Sequence, residues 1–385
     1  MAVRIGLERL GAYAFLFQGK AIGIITNFTG ILPDFHADTI DVFVEEGWKP
    51  ARVFTPEHGL YGAPAGAGVS DSVHPKYGIP VVSLYGAHRK PAPEDLAGID
   101  VLVYDIQDLG LRYYTYIYTM CYAMEAAAEA GIPFVVLDRP APFGDTLEGA
   151  CMREDLHTFV GDYALPVRYG LTAGEMAQYF RERIETKKTD LVVIPMEGYR
   201  RGEVWPETGL FWNTPSPAIP DYESAQCYIG GCFFEAVPVS EGRGTYKPFL
   251  VYGAPFVDMD VLYRKVRDEW KDDRVVFRRR SFIPTESDYK GELCFGLEFL
   301  PRDSHADFFP LSLILLRAFF ALYPERMTLE TSEETGKVSK LEVLYGNSDV
   351  LDFVMGSLSL SDLLERQQED QRKFAVKTEP VRIYH

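Results

Sequence analysis

Short runs of consecutive apolar residues recur along the first 140 positions, and each ends in a polar or glycine-containing cluster. Ala21 to Ile25 ends in Thr26-Asn27, and Arg52 to Phe54 in Thr55-Pro56-Glu57-His58-Gly59. Val81 to Leu84 ends in Tyr85-Gly86, Val101 to Tyr104 in Asp105-Ile106-Gln107-Asp108, and Phe134 to Leu137 in Asp138-Arg139-Pro140. Apolar runs without alternation predict strands covered on both faces, as in a parallel sheet. Helical periodicity lies between some of them, over Ala37 to Glu46 and over Tyr114 to Ala130, the latter closed by Gly131. A capping box at Thr172-Ala173-Gly174-Glu175 predicts a helix to about Glu185, and Leu191 to Ile194 a strand. This alternation predicts a doubly wound α/β domain.

The pattern then changes. Trp205 to Tyr222 is rich in Pro, Trp and Asn and has no period, so it reads as a long ordered loop. Beyond it, Glu292 to Leu300 reads as a strand of a mixed sheet, and Pro310 to Tyr323 and Ser361 to Phe374 as helices. We expect a larger sheet domain over residues 1–222 and a smaller α+β domain over 223–385, with a boundary near Tyr222.

Composition narrows the function classes. The chain has 385 residues, 47% hydrophobic and 25% charged, as in a globular protein. Its formal net charge is −17, divided as −8 over residues 1–150 and −9 over the rest. That field argues against nucleic acid as a partner. The longest apolar stretch, Leu311 to Leu322, is broken by Ser312 and Arg317 and is too short to span a bilayer. Five cysteines (121, 151, 227, 232, 294) form no CxxC and no zinc-type spacing, so they read as reduced core thiols. With no apolar leader at Met1 to Gly6, a cytoplasmic location is the expectation; the other option is an exported form whose leader has been removed.

Ligands in an open α/β sheet bind outside the carboxyl ends of the strands. That rule gathers Asn27, Glu57, His58, Tyr85, Asp105, Asp108, Arg112 and Arg139 along one edge. Glu57-His58 in a glycine-bounded loop suits acid/base chemistry, although a backbone-capping Glu and a packed His fit the same pattern. Asp105 and Asp108 fit sugar or metal binding, or the cap of the following helix. In Ser240-Glu241-Gly242-Arg243-Gly244-Thr245, Arg243 offers bidentate recognition of a carboxylate and the glycines close backbone approach, against the reading of a tight turn with an Arg–Glu pair. Trp212 is a candidate for stacking on a sugar, or an anchor for its loop. GxSxG, HExxH, P-loop and GxGxxG patterns are absent, and GAPAGAG (62–68) follows no strand directly, reading as a flexible loop.

Taken together, these segments resemble the exo-β-N-acetylmuramidase family. They are GIITNFTGI (23–31), FTPEHGLYG (54–62), VVSLYGAHRKP (81–91), DVLVYDIQDLGLRYYTYIYTM (100–120), VVLDRPAP (135–142), RYGLTAGEMA (168–177), TGLFWNTPSPAIP (208–220) and VSEGRGTYKPF (239–249). The resemblance implies a Rossmann-like N-terminal domain, a smaller C-terminal domain and an active-site cleft between them. It implies release of terminal N-acetylmuramic acid from the non-reducing end of peptidoglycan fragments, with no metal or nucleotide cofactor. It makes Glu57 the leading catalytic candidate, with His58 assisting and Glu241 or Asp105 as second carboxylate; the substrate's 2-acetamido group is the alternative to the latter. Asn27, Tyr85, Asp108, Arg112, Tyr114, Arg139, Trp212 and Arg243 complete the candidate substrate contacts, with Arg112, Arg139 and Arg243 set against the lactyl carboxylate. The chain departs from the family pattern at Ala141, Tyr169, Ala218 and Pro238, which predicts the loss of four polar groups near the cleft. The competing readings are a non-catalytic amino-sugar-binding protein and an amidase or esterase acting on a related sugar.

Overall fold

In the computed structural model, residues 3–63, 69–184 and 187–385 are described. The chain builds two sheets. The first has seven strands in the order β3-β4-β2-β1-β5-β6-β7. They are β1 (Ile22–Thr26), β2 (Arg52–Thr55), β3 (Ser72–Val73), β4 (Pro80–Ser83), β5 (Val101–Asp105), β6 (Phe134–Leu137) and β7 (Leu191–Ile194). All pairings are parallel except β3 with β4. Leaving out the antiparallel edge strand β3, the sequential order is 3-2-1-4-5-6, the doubly wound Rossmann-like arrangement, with its switch point between β1 and β5. Every residue of β1, β5 and β6 is buried, which is why these strands read as unbroken apolar runs.

Helices α1 (Thr39–Glu45), α2 (Tyr116–Ala130) and α3 (Ala173–Arg181) connect these strands. Each is a little shorter than its periodicity predicts. Asp38 caps α1 through its side chain. Gly131, in the left-handed region at φ 73°, ends α2. The Thr172–Glu175 capping box opens α3, which stops at Arg181; residue 185, its expected end, lies outside the described residues, as do residues 64–68 of the glycine-rich segment and Met1-Ala2. A 3₁₀ run over Gly6–Leu16, not anticipated from its pattern, packs against β6 and β7 and buries Leu7 and Leu10. It lies so close to β6 that a Cβ on Gly6 would meet Asp138 N at 2.5 Å.

The second sheet is antiparallel, ordered β8-β10-β9, from β8 (Val251–Ala254), β9 (Val275–Phe282) and β10 (Cys294–Pro301). Helices α4 (Tyr222–Gly231), α5 (Met259–Glu269) and α6 (Phe309–Leu322) pack around it, followed by α7 (Lys340–Tyr345), α8 (Asp349–Val354) and α9 (Leu360–Thr378). The apolar stretch from Leu311 is thus a buried helix, and no described helix is long and apolar enough to cross a membrane. All five cysteines are free thiols; four are buried and Cys151 is half-buried.

The two sheets share one continuous apolar core that runs from Ile25 and Phe54 to Phe299 and Phe319. The C-terminus also returns to the first sheet. Tyr384 donates its hydroxyl to Asp138 at 2.6 Å, and the Ile383 amide donates to Glu175 at 2.8 Å. Burial pushes the Asp138 carboxyl up to about 7 against the opposing Tyr384 bond.

Candidate active site

β2 delivers Thr55 to the carboxyl edge of the sheet, and Pro56 ends its ladder. His58 and Gly59 then occupy the left-handed region in succession, at φ 66° and 62°. This sharp turn is held by the His58 Nδ1 contact to the Ala63 carbonyl at 2.7 Å. A bulky side chain in that conformation is strained, and such strain is typical of functional sites. The turn leaves Glu57 half-buried, facing two hydroxyl donors. Tyr85, after β4, donates to Oε1 at 2.9 Å, and Thr115, at the start of α2, donates to Oε2 at 2.8 Å. Burial first, then the Glu57 charge, push the Tyr85 phenol up to about 12, so it stays a neutral donor.

Glu57 opens on a cavity of about 480 Å³. Its floor on the sheet side is Tyr114, Thr115 and Tyr116. Tyr114 and Tyr116 both donate to the Pro215 carbonyl, at 2.6 and 2.8 Å, which ties the proline-rich loop to this floor. The second half of the chain lines the same cavity with Glu235, Arg243, Lys340 and the segment 330–334. Glu334 pairs with Arg89 at 3.0 Å and accepts the Phe159 amide at 3.0 Å, which ties this segment to the first half of the chain.

Four of the twelve candidates from sequence line this cavity: Glu57, His58, Tyr114 and Arg243. Tyr85 acts through Glu57. The other seven lie elsewhere, each for a visible reason. Asp105 is fully buried and bound by Arg139 Nε and Nη2 at 2.6 and 2.9 Å, with Thr39 donating at 2.5 Å. This pair fills the switch-point crevice, where a recess of only about 20 Å³ remains. Neither residue is therefore free to act as second carboxylate or to take up a substrate anion. Arg112, fully buried, gives its donors to the carbonyls of Ala150, Leu165 and Leu344 and so locks the two halves together instead of meeting a ligand. Asp108 accepts the Gly110 amide at 2.7 Å and the Tyr169 hydroxyl; burial pushes it up to about 6. Asn27 caps its own turn, accepting from Thr29. Trp212 is an anchor, edge-on to Trp205 and Tyr222, with its indole donating to the Ile219 carbonyl at 3.3 Å. Glu241 sits behind Arg243 in an adjoining recess, and burial pushes it up to about 7.

The SEGRG segment is the turn with an Arg–Glu pair. Gly242 takes φ 82° where a Cβ would meet Val251 at 2.5 Å, so the glycine serves backbone packing and not ligand approach. Arg243 is held between Glu235 at 2.6 Å and Glu241 at 2.9 Å, over the Phe249 ring. Burial opposes its charge, and the two carboxylates more than offset that.

The four departures from the family pattern also fall outside the cavity lining. Tyr169 in fact keeps a polar bond, to Asp108. Thr115, Glu235, Lys340 and the segment 330–334 line the cavity although sequence reasoning did not single them out. Of these only Lys340 carried a signal, as a cation at a helix start where the dipole disfavours one. Among the described residues, no three His, Cys, Asp or Glu side chains are grouped to hold a metal ion.

The chain matches the N-terminal model of the exo-β-N-acetylmuramidase NamZ family over residues 22–223 and the C-terminal model over 226–384. It is 36% identical over 386 residues to the peptidoglycan β-N-acetylmuramidase NamZ of Bacillus subtilis (strain 168), covering 99% of this chain and 91% of that relative. Two crystal structures of DUF1343 family proteins from Bacteroides fragilis NCTC 9343 superpose with TM-scores of 0.87 and 0.78, at 32% and 26% identity. Each alignment covers all of this chain and 99% of the other. A match that runs through both sheets and brings the Glu57 turn and the Arg243 turn to one cavity places this chain in the exo-β-N-acetylmuramidase NamZ family.

Proposed function

We propose that the protein is an exo-acting glycoside hydrolase that releases N-acetylmuramic acid from the non-reducing end of peptidoglycan fragments, with Glu57 as general acid. The observation that carries this reading is the Glu57 carboxyl, oriented by two hydroxyls at the floor of a cavity large enough for a sugar. Glu57 protonates the glycosidic oxygen as the bond to the anomeric carbon breaks and a nucleophile closes on that carbon; water then displaces this nucleophile, returns a proton to the Glu57 carboxylate and releases the free sugar. With Asp105 enclosed by Arg139 and Glu241 in the adjoining recess, outside the main cavity lining, the attacking group is the substrate's own 2-acetamido oxygen. Glu235, which lines the cavity, is the alternative carboxylate. His58 supports the turn that presents Glu57. We place the division of the chain near Tyr222, since the first sheet lies wholly before it and the second wholly after. Five unpaired thiols support a cytoplasmic place of action.

The test is hydrolysis of a chromogenic β-N-acetylmuramide by the wild type and by Glu57→Gln. The expected result is turnover by the wild type and a loss of about 10²- to 10⁴-fold in the variant. Substitution of the acetamido group by trifluoroacetamido slows a reaction in which that oxygen attacks. An unchanged rate would move the role to Glu235.

A further inference from the structure

The cavity that holds Glu57 is also lined by a cation that forms no ion pair among the described residues. Five glutamates line the cavity against two cations, Arg243 and Lys340. Arg243 is already shared between Glu235 and Glu241. Lys340 is not. Its Nζ donates to the main-chain carbonyl of Glu235 at 2.8 Å, and among the described residues it forms no ion pair. An ammonium has three donors, so two remain for a ligand. The side chain lies where the main cavity meets the recess that holds Glu241 and Asp288, and it lines both.

Its place in the helix does not by itself account for a cation. Lys340 is the first residue of α7, where the helix dipole disfavours a cation. The helix is already capped by Ser339 and Glu342. N-Acetylmuramic acid differs from N-acetylglucosamine by a lactyl ether that carries a carboxylate. An anion entering a wall of excess negative charge needs an unneutralised cation on that wall.

We propose that Lys340 binds the lactyl carboxylate of the terminal muramic acid and is the residue that distinguishes muramic from glucosamine substrates. Arg243 instead holds Glu235 and Glu241 in place. This assignment rests on the muramidase reading above.

The experiment compares kcat/KM for a chromogenic β-N-acetylmuramide and for its lactyl methyl ester, in the wild type and in Lys340→Gln. The Gln side chain retains a donor for the Glu235 carbonyl and removes the charge. The wild type loses about 10- to 100-fold on esterification, mainly in KM, the size of a hydrogen bond to a charged group. Lys340→Gln is weaker by a similar factor on the free acid and almost indifferent to the ester, whereas Lys340→Arg retains the ester penalty. An ester penalty in Lys340→Gln equal to that of the wild type overturns the assignment, as does a wild type with no penalty. Calorimetry with N-acetylmuramic acid and N-acetylglucosamine separates the two readings. Preferential binding of the former without hydrolysis overturns the glycosidase reading alone, and the assignment then stands if Lys340→Gln abolishes the preference and falls if the preference persists.

Discussion

Glu57 and Asp105 occupy matching places in the chain. Each lies at the carboxyl end of a central parallel strand, β2 and β5, and each is followed by a polar loop. Their surroundings differ in one respect. Glu57 is met by two neutral hydroxyls and is half-buried beside a cavity. Asp105 is met by a bidentate arginine and is fully enclosed. A neutral donor orients a carboxyl without neutralising its charge and leaves it facing the cavity, while a buried arginine pairs with it and removes it from reach. The strand-end rule therefore locates an edge, and the partners along that edge decide which acid acts.

Breaking the Asp105–Arg139 pair is expected to give the largest change in stability. Asp105→Ala leaves a buried guanidinium unpaired and costs about 3–5 kcal/mol, read as a fall in the denaturation midpoint, with activity per folded molecule largely kept. Glu57→Gln, by contrast, leaves the midpoint within about 0.5 kcal/mol of the wild type. The next effect is on orientation: Thr115→Val removes one of the two Glu57 donors and lowers kcat roughly 10-fold with KM little changed.

Tyr169→Phe probes the deeper carboxyl, Asp108. Its value in the fold, about 6, lies above the usual 3.8, so the fold binds this proton more tightly than the unfolded chain does. That contribution is complete below about pH 4 and is lost as pH rises through about 6. Without the Tyr169 donor the ionised form is worse solvated. Tyr169→Phe is then expected to cost about 1 kcal/mol at pH 5 and about 2 kcal/mol at pH 8, measured by denaturation at each pH. A penalty that shrinks at the higher pH would contradict the assignment. The smallest expected effect is that of Phe211→Ser. Phe211 is exposed beside Phe35 and does not line the cavity, so stability and KM stay within about 0.5 kcal/mol.

The sheet was legible because its strands are buried on both faces. Each predicted run, from Ala21 to Leu137 and at Leu191 to Ile194, became a strand within about a residue at either end. The Gly6–Leu16 helical run was not, since its 3₁₀ geometry follows no 3.6-residue period. At the site, the strand-end position of Glu57 and His58 was legible from their local turn, and both line the cavity. The partners of Arg112 and Asp105 were not legible, because they are far away in the chain: Arg112 meets a carbonyl 232 positions away, and Asp105 an arginine 34 positions away. Thr115 was hidden for a similar reason, as nothing local distinguishes a cap hydroxyl from one aimed at a carboxylate 58 positions earlier.

The central claim is that Glu57, and not Asp105, is the acid of this edge. The most direct measurement is release of chromophore from a β-N-acetylmuramide by Glu57→Gln and Asp105→Asn, each normalised to folded protein. The account predicts a loss of about 10²-fold or more for Glu57→Gln and less than about 10-fold for Asp105→Asn. Full activity in Glu57→Gln, or equal losses in the two variants, would contradict it.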